Sequence, residues 1–322
     1  MKIGIELHHR LGVDYVLEEA RSADDQGFDS VWLSDHLFRG RGQDVPDGPL
    51  EMMTLATAIG AVTKQTRIAW GALNITLRPP ALLAKMLASL DQLTHGRVIA
   101  TLGSGWNTPE WTAYDLPHIE DHDERAAYAR EVIQLFKHLW THPAPELTTF
   151  EGKYVKVKDL PFNPQPFQKP HPPIWFGGES PATMQTVKSL CDGWMNMPSH
   201  NNPARLKEYL DTGDWPDRPF TIHQRSHIIV ARDRATAIEA AREDYESLKA
   251  TEAIFAPPSF EDFLNEEVVG TPDECIQQLR SMQARGVNHL RIRFTSEARR
   301  EAAALMVLPR LAEVDEEELI RS

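Results

Sequence analysis

Two glycine-rich turns are the parts of this sequence best suited to bind an anionic ligand. Gly177-Gly178-Glu179-Ser180 precedes Pro181, and Gly103-Ser104-Gly105-Trp106-Asn107 follows an apolar run. Glycines let a backbone approach a ligand closely, and free amides at a helix start attract negative charge. The first turn therefore predicts a phosphate seat. The second predicts a surface for a planar ring, with Ser104 and Asn107 as hydrogen-bond donors. The alternative for the first is a tight turn before a capped helix, and for the second that Trp106 is simply a core residue.

Histidines beside charged residues indicate two further sites. Asp35-His36 follows an apolar run, so His36 can hydrogen-bond a ligand or donate a proton, while Asp35 either fixes its tautomer or caps the loop. In Arg225-Ser226-His227 the two outer residues share one face of a strand. An arginine buried on that face needs an anionic partner, which is either a substrate or a carboxylate of the protein. Structural ion pairs are the alternative in both places.

The remaining histidines are less informative. In His8-His9 only one ring can face the interior, because neighbouring residues of a strand point to opposite faces. His118 and His122 flank a loop, and no three ligands have the spacing of a metal site. No metal is expected.

These positions must be brought together by alternating strands and helices. Apolar runs predict strands at residues 2–7, 29–34, 67–73, 97–103, 174–177, 192–197, 221–230 and 289–294. Helical periodicity lies between them, as in Leu83, Met86, Leu87 and Leu90. This order predicts an α/β fold, a (β/α)8 TIM barrel with insertions, in which ligands collect at the carboxyl ends of the strands.

Two segments depart from this alternation. Residues 148–173 form a proline-rich insertion that opens with a small hairpin around Phe150–Tyr154. Residues 251–267, with Pro257-Pro258, show no clear period and predict a loop that acts as a lid. Both fit within a single domain over residues 1–322.

Composition narrows the classes of partner. The 322 residues carry a formal net charge of −13, and the only compact basic patch surrounds Arg39 and Arg41, which argues against nucleic acid. No apolar run approaches the roughly 20 residues of a membrane span, and Met1–Ile5 enters a strand without a signal-peptide pattern. The two cysteines, Cys191 and Cys275, fit buried thiols in a reducing compartment. A cytoplasmic protein without a membrane partner is expected.

Residues Arg67–Asn107 resemble the bacterial luciferase-like flavin-dependent oxidoreductases. The resemblance rests on the Arg78-Pro79-Pro80 helix start, on the LDQLTHGR helix end at residues 90–97, and on the glycine-rich strand end before Trp106. It implies a flavin at the carboxyl face of the barrel, with its phosphate at the Gly177–Ser180 turn. Relatives often carry a non-prolyl cis peptide at the end of the third strand, against the flavin ring.

The resemblance also assigns expected roles to individual residues. Those expected to bind the cofactor are Asp35, Ala72, Leu73, Asn74, Gly103, Ser104, Gly105, Trp106, Asn107, Gly177, Gly178 and Ser180. Catalytic roles are expected for His36, Arg225 and His227, which would steady charge on the flavin or substrate. Substrate contacts are expected for His8 and Trp194.

The function implied is a two-component monooxygenase, in which reduced FMN from a separate flavin reductase reacts with O2 and a small organic substrate is oxygenated. A homodimer or homotetramer is expected on the same grounds. One alternative is hydride transfer with the deazaflavin F420, and another is a flavin-binding barrel without catalysis. F420 carries an anionic tail, and a chain with a net charge of −13 offers it little basic surface, which favours FMN.

Overall fold

A computed structural model describes residues 1–8, 11–38, 49–143, 146–196, 203–252 and 256–307. Contacts divide the chain into two compact units. The first consists of Met1–Glu6, Asn196–Asp214 and Ile222–Ser322, and the second of Leu7–Met195 and Trp215–Thr221. The single domain over residues 1–322 stays a prediction. His9 and the basic patch at Arg39 and Arg41 lie outside the described residues.

The predicted alternation of strands and helices is observed. The strands are β1 Lys2–Glu6, β2 Ser30–Leu33, β3 Arg67–Trp70, β4 Leu73–Asn74, β5 Ala100–Gly103, β6 Leu147–Glu151, β7 Lys156–Pro161, β8 Ile174–Gly177, β9 Gly193–Asn196, β10 Thr221–Val230, β11 Val268–Gly270 and β12 His289–Arg293. The helices are α1 Val13–Asp25, α2 Met52–Val62, α3 Pro80–Leu93, α4 Thr108–Ala113, α5 His122–Thr141, α6 Pro181–Leu190, α7 Pro203–Thr212, α8 Arg234–Glu252, α9 Phe260–Glu266, α10 Pro272–Ala284 and α11 Glu297–Met306.

The second unit is built on parallel strands. β2 pairs with β3, β4 with β5, β5 with β8 and β8 with β9, while a bridge from Ile68 to Val98 joins β3 to the chain entering β5. Strands β2 and β9 are buried along their whole length. Their continuous apolar runs are typical of strands covered on both faces.

The first unit holds the other predicted strands, again in parallel. β12 lies between β1 and β10, and the short β11 pairs with the last residues of β10. The sequence did not predict β11, because three residues are too few to show a period.

The segment predicted as a loop at 251–267 is partly helical, which corrects that expectation. α8 extends into it as far as Glu252, and α9 occupies Phe260–Glu266. The side chain of Ser259 accepts the Asp262 amide at 3.1 Å and caps α9, while Phe263 is fully buried. A helix of seven residues has too few turns for its periodicity to be recognised. Its role as a lid stays a prediction.

Other local predictions are confirmed. β6 and β7 form the expected antiparallel hairpin. Ser180 caps α6, and Thr271 with Glu274 forms the predicted capping box of α10. Among the helices of the described ranges, none is both long and apolar enough to cross a bilayer.

A buried carboxylate sets the entry into β3. Asp24, near the end of α1, accepts the amides of Lys64, Gln65 and Thr66 at 2.7, 2.8 and 2.6 Å. Burial raises the pKa of Asp24, but the three amides outweigh burial, and the pKa lies below its usual value. The ionised carboxylate therefore stabilises the folded chain.

We expect Asp24→Asn to destabilise the protein by about 1–3 kcal/mol at pH 7, since the amide group cannot accept all three hydrogen bonds. A depressed pKa contributes stability that is present above the unfolded value of 3.8 and lost as the pH falls through the folded pKa. The difference in free energy of unfolding between the variant and the wild type should therefore become smaller as the pH falls towards 3. Urea unfolding at both pH values measures it. Exposed Asp25→Asn is the matched control, and an equal effect there would refute the interpretation.

Candidate active site

His36 is paired with a buried carboxylate that the sequence did not single out. Its Nδ1 lies 3.0 Å from Oε2 of Glu110, on α4, and the other oxygen of Glu110 accepts the Leu37 amide at 2.6 Å. Burial raises the pKa of Glu110, but the hydrogen bond and charge of His36 outweigh it, so the pKa lies below its usual value. An ionised acceptor favours a proton on Nδ1 and leaves Nε2 for an outside partner.

Of the two roles expected for Asp35, fixing the tautomer of His36 and capping the loop, the structure does not show the first. The Asp35 carboxylate instead forms a two-pronged ion pair with Arg78, at 2.8 and 2.9 Å, and also accepts the Asn74 amide at 2.9 Å. Arg78 binds Glu51 as well. Burial lowers the pKa of Arg78, but Asp35 and Glu51 more than reverse this effect, so the guanidinium stays charged. The contact of Asp35 with a cofactor stays a prediction.

The end of the third predicted strand has its polar groups already engaged. The Gly71–Ala72 peptide is cis, the isomer that the resemblance implied there. Oδ1 of Asn74 accepts both the amide and the hydroxyl of Thr76, at 3.1 and 2.7 Å. Trp111 Nε1 donates to that hydroxyl at 2.6 Å. The contacts of Ala72, Leu73 and Asn74 with a cofactor stay a prediction.

The turn after β5 combines an exposed aromatic ring with polar side chains of lower exposure. Gly105 has a φ of +75°, and a Cβ there would lie 2.6 Å from the Trp111 ring, so only glycine fits. The side chain of Asn107 is hydrogen-bonded to Glu110 and is therefore engaged. Trp106 is 46% exposed, with its ring edge-on to His36 at 5.6 Å. The hydroxyl of Ser104 has no hydrogen-bond partner in the described part of the chain.

The turn between β8 and α6 has the arrangement of an anion seat. Within the described ranges, the successive amides of Gly178, Glu179 and Ser180 donate to no acceptor. The hydroxyl of Ser180 accepts the Thr183 amide at 3.2 Å, so it caps the helix. Trp194 is fully buried and donates to the Gly178 carbonyl at 2.8 Å, which holds the turn. Glu179 fits least well, because its buried Oε2 lacks a hydrogen-bond partner among the described residues.

His8, at the end of β1, also has a carboxylate partner. Its Nδ1 lies 2.7 Å from Glu19, and its amide donates to the other oxygen of Glu19 at 2.7 Å. Glu19 is only 5% exposed although it belongs to a surface helix, α1. The second unit thus holds two histidines, each fixed through Nδ1 by a buried glutamate.

Arg225 and His227 belong to the first unit and have different carboxylate partners. Arg225 lies 3.8 Å from Glu6, and Arg291 lies 3.5 Å from the same carboxylate. His227 Nδ1 lies 2.9 Å from Glu267, which also accepts the His227 amide at 2.5 Å. Burial raises the pKa of Glu267, but His227 and Arg225 lower it to about 2. These contacts match the ion-pair alternative, and the catalytic roles of Arg225 and His227 stay predictions.

Residues 1–289 match the family model described as luciferase-like monooxygenase. The chain belongs to this family. This luciferase-like protein is 30% identical over 207 residues to an FMNH(2)-dependent dimethylsulfone monooxygenase of Pseudomonas putida. It is also 30% identical over 205 residues to an F420-dependent glucose-6-phosphate dehydrogenase of Microbacterium testaceum strain StLB037. The matches cover 64% and 62% of the chain but only 54% and 57% of those relatives.

A solved structure confirms the fold class of this luciferase-like protein. The monooxygenase RslO1 from Streptomyces bottropensis aligns with a TM-score of 0.78 over 97% of this chain and 100% of that chain, at 24% identity. The predicted (β/α)8 barrel and the resemblance stated from the sequence are both confirmed.

The sequence analysis of this luciferase-like protein missed the glutamates that hold its histidines. Glu110 and His36 are 74 positions apart, so no spacing relates them. Glu19 gave a weak signal, because it lies beside Val16, Ala20 and Ala23 on the buried face of α1. A glutamate on an apolar helix face indicates a buried partner.

We expect Glu110→Gln to disturb the ring of His36, because a carboxamide can face Nδ1 with either its oxygen or its amino group. The His36 ring 15N signals of the wild type should report one dominant arrangement with a proton on Nδ1, and those of the variant a mixture. Stability should fall by about 1–3 kcal/mol because a buried acceptor is lost. Glu18→Gln, at an exposed position, is the control. Unchanged His36 signals in Glu110→Gln would contradict the assignment.

Proposed function

We propose that this protein is the oxygenating component of a two-component monooxygenase. It would use reduced FMN and O2 to insert one oxygen atom into a small organic substrate, with the other atom leaving as water and FMN as the oxidised product. A separate flavin reductase would supply the reduced FMN. The row of unsatisfied amides at Gly178, Glu179 and Ser180 is the observation that carries this proposal.

Those amides are suited to the FMN phosphate. Successive amides at the positive end of a helix favour an anion. In the same unit, the Ser104 hydroxyl has no hydrogen-bond partner among the described residues, and the Trp106 ring is 46% exposed, so we propose that both contact the ribityl chain or the flavin ring. When bound and reduced, FMN supplies the electrons that activate oxygen, and the protein positions the reactants and excludes water.

The protein's own acid–base groups would act beside the flavin. Nδ1 of His36 is held by Glu110, so its Nε2 is the nitrogen that can exchange a proton with a ligand. Arg225 and His227 remain candidates to balance negative charge, and His8 and Trp194 remain candidates for substrate contact. The name of the relative from Pseudomonas putida makes small sulfones the first compounds to test.

F420-dependent hydride transfer is the second candidate, because one relative at 30% identity is F420-dependent. The alternative without catalysis would bind oxidised flavin tightly and turn nothing over. We further propose a cytoplasmic homodimer or homotetramer, for which light scattering on the purified protein gives the mass.

Cofactor titration separates these functions. The purified protein should bind reduced FMN under anaerobic conditions more tightly than oxidised FMN or reduced F420. With air and dimethylsulfone or related compounds, an oxygenated product should form in proportion to the reduced FMN supplied. Binding of F420 with bleaching or recovery of its absorbance on adding an alcohol, and no effect of O2, would overturn the monooxygenase proposal.

Gly178→Ala tests the phosphate seat. Gly178 has a φ of +129°, and a Cβ there would lie 2.9 Å from Thr183 Cγ2, so alanine must shift the amides of the turn. We expect reduced FMN to bind at least about tenfold more weakly, the effect of losing a charge-assisted hydrogen bond. Gly27→Ala is the matched control, since its φ is +77° but nothing lies within 4 Å of the added Cβ. Equal affinity in both variants would count against the seat.

A further inference from the structure

A cleft of about 540 Å3 lies in the second unit, outside the two glycine turns. It opens between the start of α3 at Pro79 and Pro80, the loop Leu116–Ile119, Tyr128 of α5, and the hairpin residues Tyr154–Lys156. Sites for small organic molecules typically measure about 300–1,000 Å3. The cleft is therefore large enough for one or two fused rings.

Its walls are flat and mostly apolar. Tyr128 and Tyr154 meet edge to face, with ring centroids 6.2 Å apart and planes at 85°. His118 is stacked on Trp111 at 5.3 Å and 8°, so one of its faces is already covered. Leu77, Leu116 and Val155 complete the lining. Aromatic edges and faces of this kind favour a planar aromatic guest.

The charged side chains that line the cleft, Arg78 and Lys156, are both cations. No Asp or Glu is among its lining residues, all of which belong to the described ranges, although the chain has 47 acidic and 34 basic residues. The charge of Arg78 is balanced by Asp35 and Glu51. Lys156 has no ion pair with any described residue. The cleft therefore offers one uncompensated cation.

The hydroxyl of Tyr128 is a second donor. Burial and the charge of Glu131 raise the pKa of Tyr128 to about 12, so the hydroxyl keeps its proton at neutral pH. A protonated phenol and an ammonium group that line the same cleft suit an acceptor with negative charge.

The hairpin wall is held in place without a ligand. Glu131, one turn along α5 from Tyr128, accepts the amides of Lys153 and Tyr154 at 2.9 and 2.8 Å. It also accepts the Val155 amide at 2.5 Å. Because the turn is already fixed, the hairpin loses little conformational entropy when a ligand binds.

We infer that this cleft binds a small aromatic carboxylate, with its ring against Tyr128, Tyr154 and His118 and its carboxylate towards Lys156 and the Tyr128 hydroxyl. This site is separate from the proposed FMN seat, and the inference does not rest on the proposed function.

Calorimetry with the purified full-length protein, without flavin, tests the site with 2-naphthoate, 2-naphthamide and 2-naphthylmethylamine. We expect saturable binding of 2-naphthoate at one site, with the amide at least about tenfold weaker and the amine weaker still. Nuclear Overhauser contacts from 2-naphthoate to the Tyr128 and Tyr154 rings should locate the ligand.

Two variants address the donors separately. Tyr128→Phe keeps the ring but removes the hydroxyl, and Lys156→Ala removes the charge, so each should weaken 2-naphthoate binding about fivefold or more. Lys158→Ala removes an equal charge from an exposed position of the same strand outside the cleft, and should leave the affinity unchanged. Thermal melting of each variant confirms that it folds.

Three results would overturn the inference. One is equal affinity for 2-naphthoate and 2-naphthamide, and another is no saturable binding of 2-naphthoate at millimolar concentration. The third is a loss of affinity in Lys158→Ala as large as in Lys156→Ala, since that would make the effect one of general surface charge.

Discussion

The buried ion pair between Asp35 and Arg78 holds the ends of two strands in register. Asp35 follows β2, Arg78 precedes α3, and the same carboxylate accepts the amide of Asn74 at the end of β4. A paired and hydrogen-bonded charge can remain buried, whereas removing either partner would leave the other uncompensated. This contact therefore fixes the backbone on which the Thr76 and Trp111 hydrogen bonds depend.

Buried glutamates perform the same task at the histidines. Glu110 and Glu19 each form a hydrogen bond with a ring nitrogen and accept a backbone amide, so each fixes a histidine ring and the chain that carries it. Glu267 accepts the amide of His227 and lies 2.9 Å from its Nδ1 as an ion-pair partner. The arrangement leaves Nε2 as the outward nitrogen of His36. The chain has a net charge of −13, and some of its acidic residues lie inside the fold, where their charges are compensated.

The strands and the glycine turns could be predicted from the sequence, because short apolar runs and glycine–proline pairs act locally. The hydrogen-bond and ion-pair partners of the site residues could not be predicted in this way. Nothing in the sequence distinguishes Glu110 from the exposed glutamates until α4 is folded beside β2. Asp35 was assigned to its neighbour His36 for the same reason, although its carboxylate binds Arg78, which is 43 positions away. The helix α9 was missed because its signal is only one cap and one apolar residue, Phe263.

Donors that lack acceptors are the common feature of the two places where ligands are proposed. Around Gly178 the donors are backbone amides, which a mutation of side chains does not delete, and this suits the phosphate of the proposed cofactor. In the cleft they are the side chains of Tyr128 and Lys156, which single substitutions can alter. Both proposals therefore place the anionic group of a ligand at donors that the described residues leave unsatisfied.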